Sequence, residues 1–270
     1  MYAYKLYVYN ERLVGWYDLT GQPAYFSILR VDGLNPPAAN INTSTGGTLD
    51  GTFFNSGRLG QRNIVVTFMP HGDIEVNRQR LYQLFPVNQE IQLRFKNGNR
   101  DVIITGYVES FEGSLCDFPQ TFTVSIICPR PFWKDHTIST ATLPSESAAI
   151  RNSGDIKNGV NIRINISSEL SHEAVRDLTI TNYLTGEYIG FTSGFIHDDT
   201  IVISTIAGEL MAEVRRTSLP KPVNLLRYMS DGSSWLKLKF GDNAFSFTTS
   251  NNTEQYVSIQ IQHTNQYYGV

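Results

Sequence analysis

Along most of this chain apolar and polar residues alternate one by one, and that period of two commits it to β-strands. Tyr2, Tyr4, Leu6 and Val8 fall on one face of the first run, and the alternation returns at Ala24 to Val31, Asn63 to Phe68 and Ile91 to Phe95. A helix would scatter such residues round its circumference, whereas a strand lines them up against a core. The second half repeats the pattern in short runs at 160–166, 178–182, 188–191, 200–204, 235–240, 245–248 and 256–263. Turn residues separate them, notably Thr185-Gly186 and Gly241-Asp242-Asn243, and such spacing suits an antiparallel sandwich. Hydrophobic residues make up 41% of the 270 and charged residues 17%, which supports packed cores and excludes a disordered chain or a coiled coil. The length accommodates two β-domains of ordinary size.

Three local signals refine this picture. Asn97-Gly98 lies between two β-type runs, and the dipeptide readily supplies the positive φ angles of a tight turn, so a hairpin is expected there. From Asp73 to Phe85 the apolar residues Ile74, Leu81, Tyr82, Leu84 and Phe85 form a helical stripe, with Asp73 as N-cap and Pro86 as terminator. After Trp133 a polar stretch rich in Ser and Thr runs to Gly154 and reads as the linker between domains. The expected organisation is a domain of residues 1–133 containing the single helix, then the linker and a second domain within 134–270.

Chemistry is sparse. His71, Asp73 and Glu75 would share one face of an extended segment as metal ligands do, but a helix starting there explains the carboxylates as an N-cap and a first-turn acid. His197-Asp198-Asp199 falls between strand signals, where turn residues are the plain explanation. Ser171-His172-Glu173 has the residue types of a triad, yet sequence neighbours rarely point at one another. No nucleophile elbow, phosphate loop or His-Glu-x-x-His occurs, and Gly46-Gly47 sits in a polar stretch more like a protruding loop than a phosphate cradle. Trp235, Tyr267 and Tyr268 could stack on a sugar, although cores and interfaces use the same residues. No catalytic, cofactor-binding or metal-binding residue is assigned.

Lys and Arg number 22 against 25 Asp and Glu, and the resulting charge of -3 gives no general attraction for nucleic acid or anionic membrane. The first residues lack a basic leader followed by an apolar stretch, so a signal peptide and a membrane span are not expected. Cys116 and Cys128 lie in or beside strand-like runs; a cross-strand disulfide is conceivable, and reduced thiols are expected.

Several spaced segments carry a resemblance to a known family. Gln61-Arg-Asn-Ile-Val-Val-Thr-Phe68, the helix from Asp73 through Arg80-Leu-Tyr82, and Ile91-Gln-Leu-Arg-Phe95 are followed by Ile104-Thr-Gly-Tyr-Val-Glu-Ser-Phe-Glu112 and Phe122-Thr-Val-Ser-Ile-Ile-Cys-Pro-Arg-Pro-Phe-Trp133. In that order they resemble the N-terminal domain of siphovirus phage distal tail proteins. Asn182-Tyr-Leu-Thr-Gly-Glu187, Asp199-Thr-Ile-Val-Ile203, Trp235-Leu-Lys-Leu238, Phe240-Gly-Asp-Asn-Ala-Phe245 and Tyr267-Tyr-Gly-Val270 resemble the same family's peripheral sandwich. Only the region from Asn35 to Gly57 and the linker show no clear pattern.

The resemblance implies a mainly-β protein with an N-terminal β-barrel-like domain, one helix and a C-terminal galectin-like β-sandwich. It also implies a non-enzymatic baseplate hub, without cofactor, synthesised in the host cytoplasm and residing at the tail tip of the virion. Six copies would form a ring around the DNA passage, between the major tail tube protein and the tail-associated tip or fibre protein, with receptor-binding proteins as further partners. The chain has no room for the large inserted carbohydrate-binding modules of some relatives. The competing expectations are a carbohydrate-binding adhesin that recognises host surface glycans and, behind it, a hydrolase with an unrecognised site.

Overall fold

The computed structural model describes residues 4–47, 50–113, 116, 118–143, 148–170 and 173–270. Two compact units emerge: residues 1–136 together with 267–270, and residues 137–266. The expected division placed 267–270 with the second half; the chain instead returns to the first unit at its last described residues.

The first unit is built from β1 (Lys5–Tyr9), β2 (Tyr17–Asp18), β3 (Phe26–Asp32), β4 (Ala39–Ser44), β5 (Phe53–Leu59), β6 (Arg62–Pro70), α1 (Ile74–Leu84), β7 (Glu90–Lys96), β8 (Asp101–Gly113), β9 (Phe122–Cys128) and β10 (Trp133–Asp135). The main sheet runs β2-β1-β7-β8-β9-β6-β3, with β10 pairing β8 and the strand Gln266–Tyr267 pairing β10. Every pair with a register is antiparallel, as in β7 on β8, where Leu93 faces Ile104. Strands β2 and β3 stand at the edges, so the sheet folds round its core without closing.

The period-two pattern is expressed directly in burial. Leu6 and Val8 of β1, Ile64, Val66 and Phe68 of β6, Ile91 and Leu93 of β7, and Val124 and Ile126 of β9 are all at most 1% exposed. They share one core with Trp133, the largest fully buried side chain. Each such side chain contributes about 1.5–3 kcal/mol relative to exposure. Helix α1 covers part of this core through Leu81 and Leu84. Asp73 caps it as expected, its Oδ1 accepting from the Val76 amide at 3.1 Å. The expected stripe is only partly buried: Ile74 and Tyr82 face solvent, and Asn77 turns inward instead, donating Nδ2 to the His71 carbonyl at 2.7 Å.

The second unit is an antiparallel sandwich. A six-stranded sheet, ordered 139–143, 257–263, 161–166, 200–204, 211–215 and 223–224, faces a four-stranded one, ordered 148–152, 241–248, 175–182 and 187–195. Ile162, Ile164, Ile201, Ile203, Ile259 and Ile261 meet Leu178, Ile180, Phe191 and Phe245 between them. Four asparagines are buried beside this core: Asn152, Asn158, Asn182 and Asn243. Asn152 donates to Asn158 and Asn182 to Asn243, each at 3.2 Å, and their remaining groups reach backbone carbonyls such as those of Ile156, Thr264 and Ile150.

Several expectations need correction. The β7–β8 hairpin is present, but its connection is four residues long and neither Asn97 nor Gly98 has positive φ. The turn is held by Asn97, whose Oδ1 accepts from the amides of Asn99 and Arg100 at 2.9 and 2.8 Å. The polar linker contains β10 and the strands Ser139–Leu143 and Ala148–Asn152; residues 144–147 lie outside the described residues. Ser139, Thr140 and Thr142 there are exposed on a strand, where a hydroxyl meets water. The strand expected at 235–240 shrinks to Lys237–Leu238, and Gly241 opens a strand with φ +88° instead of sitting within a longer turn. The patternless region from Asn35 to Gly57 holds most of a hairpin, β4 with β5.

Candidate functional site

Residues that sequence grouped by chemistry are dispersed by the fold. His71 Nε2 lies 2.7 Å from Ser27 Oγ, Asp73 caps α1, and Glu75 takes Arg78 in a forked pair, with Nε at 2.9 Å. The Arg78 hydrogen bonds hold the Glu75 carboxyl below its ordinary pKa. Each of the three thus serves a separate local partner. Among the described residues no group of three or more His, Cys, Asp or Glu could hold a metal ion.

His197 Nδ1 contacts Asp198 Oδ2 at 3.1 Å at the surface, while Asp199 is buried, accepts the Ile196 amide and receives Arg216 Nε at 3.1 Å. Glu173 lines an open depression of about 620 Å³ with Arg176, His197 and Asn251. Asn251 is already committed, accepting from the Arg176 amide and donating to the Ala174 carbonyl. Ser171 and His172 lie outside the described residues. Trp235 packs on the core of the second unit, whereas Tyr267 belongs to the first, with Arg100 4.0 Å above its ring. Tyr268 stands edge-on to Phe132 at 5.9 Å. Each aromatic therefore completes a packing cluster in its own unit.

Cys128 is buried and Cys116 exposed, and they are not bonded to each other. Burial pushes the Cys128 thiol up to about 12, against the opposing charge of Arg62. A thiol so protonated is a poor nucleophile.

The surface feature with the strongest physical argument is one that sequence patterning missed. β4 and β5 pair only with each other, and all residues of both strands except Leu59 are exposed. Three are large and apolar: Ile41 at 58%, Phe53 at 55% and Phe54 at 67% exposure. A bulge between Asn42 and Thr43 sets Thr43 opposite Phe54, while Ile41 faces Gly57. At Gly57 the Phe54 ring and the Ile41 side chain would both touch an added Cβ, at 3.4 and 3.6 Å, so the two cover the same spot of backbone. A two-stranded hairpin alone in water is marginal, and exposed apolar clusters mark contact surfaces. The signal available in the sequence was the β-branched and aromatic flanks on either side of Gly46-Gly47, masked by their Asn and Ser neighbours.

No protein-family model and no curated protein matches the chain by sequence. Among solved structures, the Dit protein (gp 19.1) of phage SPP1, described as a paradigm of the hub adsorption apparatus in phages infecting Gram-positive bacteria, superposes with a TM-score of 0.71 at 15% identity. The match covers 97% of this chain and 98% of that one. A chain of the phage P2 baseplate in its activated conformation matches at a TM-score of 0.47 and 9% identity over 96% and 98%, a value from which a shared fold does not follow. Across nearly its whole length, with both units included, the chain carries the fold of SPP1 Dit.

Proposed function

We propose that this protein is a structural hub of a phage tail, resident at the tail tip of the virion. In this reading six copies close into a ring between the tail tube protein and the tip or fibre protein, with DNA passing through the centre and receptor-binding proteins attached outside. The observation that carries the reading is the end-to-end fold correspondence with SPP1 Dit. A ring needs two different complementary faces on each subunit, and a hairpin that exposes Ile41, Phe53 and Phe54 suits one of them. A net charge of -3 does not oppose passage of DNA, which a strongly basic lumen would trap. A non-enzymatic role agrees with how His71, Asp73, Glu75 and Asp199 are each engaged by local partners.

The test is light scattering coupled to size exclusion, with particle images of the same fractions. The native chain is expected to form closed rings of six, and Ile41→Asp with Phe54→Asp to shift it to monomer while circular dichroism stays unchanged. A native chain that remains monomeric at high concentration, or a double variant that still forms rings, would overturn the assignment of the hairpin to the ring contact; the former would also remove the hub reading.

A further inference from the structure

Arg62 is an unusual occupant of a strand core. It opens β6 at an inward position, opposite Cys128 of β9, and is 2% exposed. The acceptors of its guanidinium are all backbone carbonyls: Pro131 takes Nε at 2.7 Å, Asn35 and Gly33 take Nη1, the former at 2.6 Å, and Tyr268 takes Nη2. The Trp133 ring lies beneath it, 5.9 Å from the guanidinium carbon. A buried cation of this kind persists only when its donors are well satisfied, and the planar fork of arginine can bind several fixed acceptors at once.

Those acceptors come from three separate stretches. Gly33 and Asn35 lead from β3 into the hairpin, whose other strand returns through Gly60 and Gln61 to Arg62 itself. Pro131 lies between β9 and β10, and Tyr268 belongs to the segment that returns from the second unit. The returning segment is fastened elsewhere as well. Arg100 donates to the Gly269 carbonyl at 3.0 Å, and the Val270 amide donates to the Leu34 carbonyl at 3.2 Å. At Gly269 a side chain would begin 3.0 Å from the Leu34 carbonyl and 3.1 Å from Pro36, so the segment lies against the hairpin root as closely as glycine permits.

We infer that Arg62 is a latch that joins residues 267–270 to the root of the β4–β5 hairpin, so that the second unit is tethered to the first at two points and the hairpin is anchored by the second tether. Withdrawing the segment would remove one acceptor from Arg62, one from Arg100, and the amide that holds Leu34. The hairpin root would then keep only its connections to residues 1–136. The inference holds whatever the hairpin contacts.

The test uses the full chain with a site-specific protease sequence inserted at Ile138, which is 65% exposed between β10 and the strand Ser139–Leu143. After cutting, the two fragments should co-elute on size exclusion, and the same cut in a chain stopped after Gln266 should release them. Separation in the first case, or co-elution in both, would overturn the latch. Arg62→Lys retains the charge but loses the fork and should speed fragment release about tenfold. On uncut protein, hydrogen exchange should rise about tenfold at residues 33–40 when 267–270 are removed and stay unchanged at 161–166. Unchanged exchange at 33–40 would overturn the coupling to the hairpin.

Discussion

The side-chain amide of Asn10 donates to the carbonyl of Leu84 at 2.9 Å and to that of Gln83 at 3.0 Å, closing the end of α1 from more than seventy positions away in sequence. The last carbonyls of a helix have no partner within it, and here a tertiary contact satisfies two of them. Asn10 Oδ1 accepts the Arg12 amide at 2.9 Å, so the side chain is held at both ends.

Asn10→Ala should therefore destabilise the first unit by about 1–3 kcal/mol, the range for a buried polar group left without a partner. Urea unfolding followed by intrinsic fluorescence would measure it, and an unchanged midpoint would show that water replaces the cap at no cost.

Arg94 grips Asp101 through Nε and Nη2, both at 2.6 Å, across the strands beside the turn of the β7–β8 hairpin. The Arg94 hydrogen bonds hold the Asp101 carboxyl below its ordinary pKa. A depressed carboxylate contributes stability above the unfolded value, near pH 4, and loses that contribution as pH falls through the lower folded value. Acid melts should show this loss in the native chain and a shallower one in Asp101→Asn. The pair is partly accessible, so its contribution is at most about 1 kcal/mol; identical slopes for both proteins would refute it.

The two thiols should separate kinetically. A thiol reagent applied to native protein should label Cys116, which is exposed, and spare Cys128, buried with its pKa near 12. Unfolding without reduction should release both. Mass spectrometry of the labelled peptides decides, and rapid native labelling of Cys128 would contradict its burial.

Asp73 should matter to stability and not to metal content. Removing its capping oxygen in Asp73→Ala should cost about 1 kcal/mol, while exhaustive chelation of the native protein should leave the melting temperature where it was. A large drop on chelation would restore His71, Asp73 and Glu75 as ligands.

Strand positions were legible because burial on one face imposes a period of two that survives in single side chains, as Leu6, Val8, Leu93 and Ile203 illustrate. The start of α1 was equally plain, since capping is local: Asp73 and the Val76 amide are three positions apart. What escaped is what local sequence does not encode. Arg62 occupies an inward strand position because four carbonyls meet there from distant segments, and no neighbour of Arg62 announces them. The β4–β5 hairpin escaped for the opposite reason: with both faces exposed, it has no core to impose alternation. The dispersal of His71, Asp73 and Glu75 follows from where α1 begins: His71 precedes it, Asp73 turns its side chain onto the Val76 amide as N-cap, and Glu75 lies in the first turn beside Arg78.

The return of residues 267–270 to the first unit also sets an order in time. Domains near the start of a chain usually finish folding while the ribosome still works on later ones. Here residues 137–266 must be made before the last strand and the final acceptor of Arg62 exist. At roughly 5–20 residues per second that is a delay of about 7 to 26 s. During it the first unit waits with an open seam and an unfilled guanidinium, and the sandwich can be complete before the unit that precedes it.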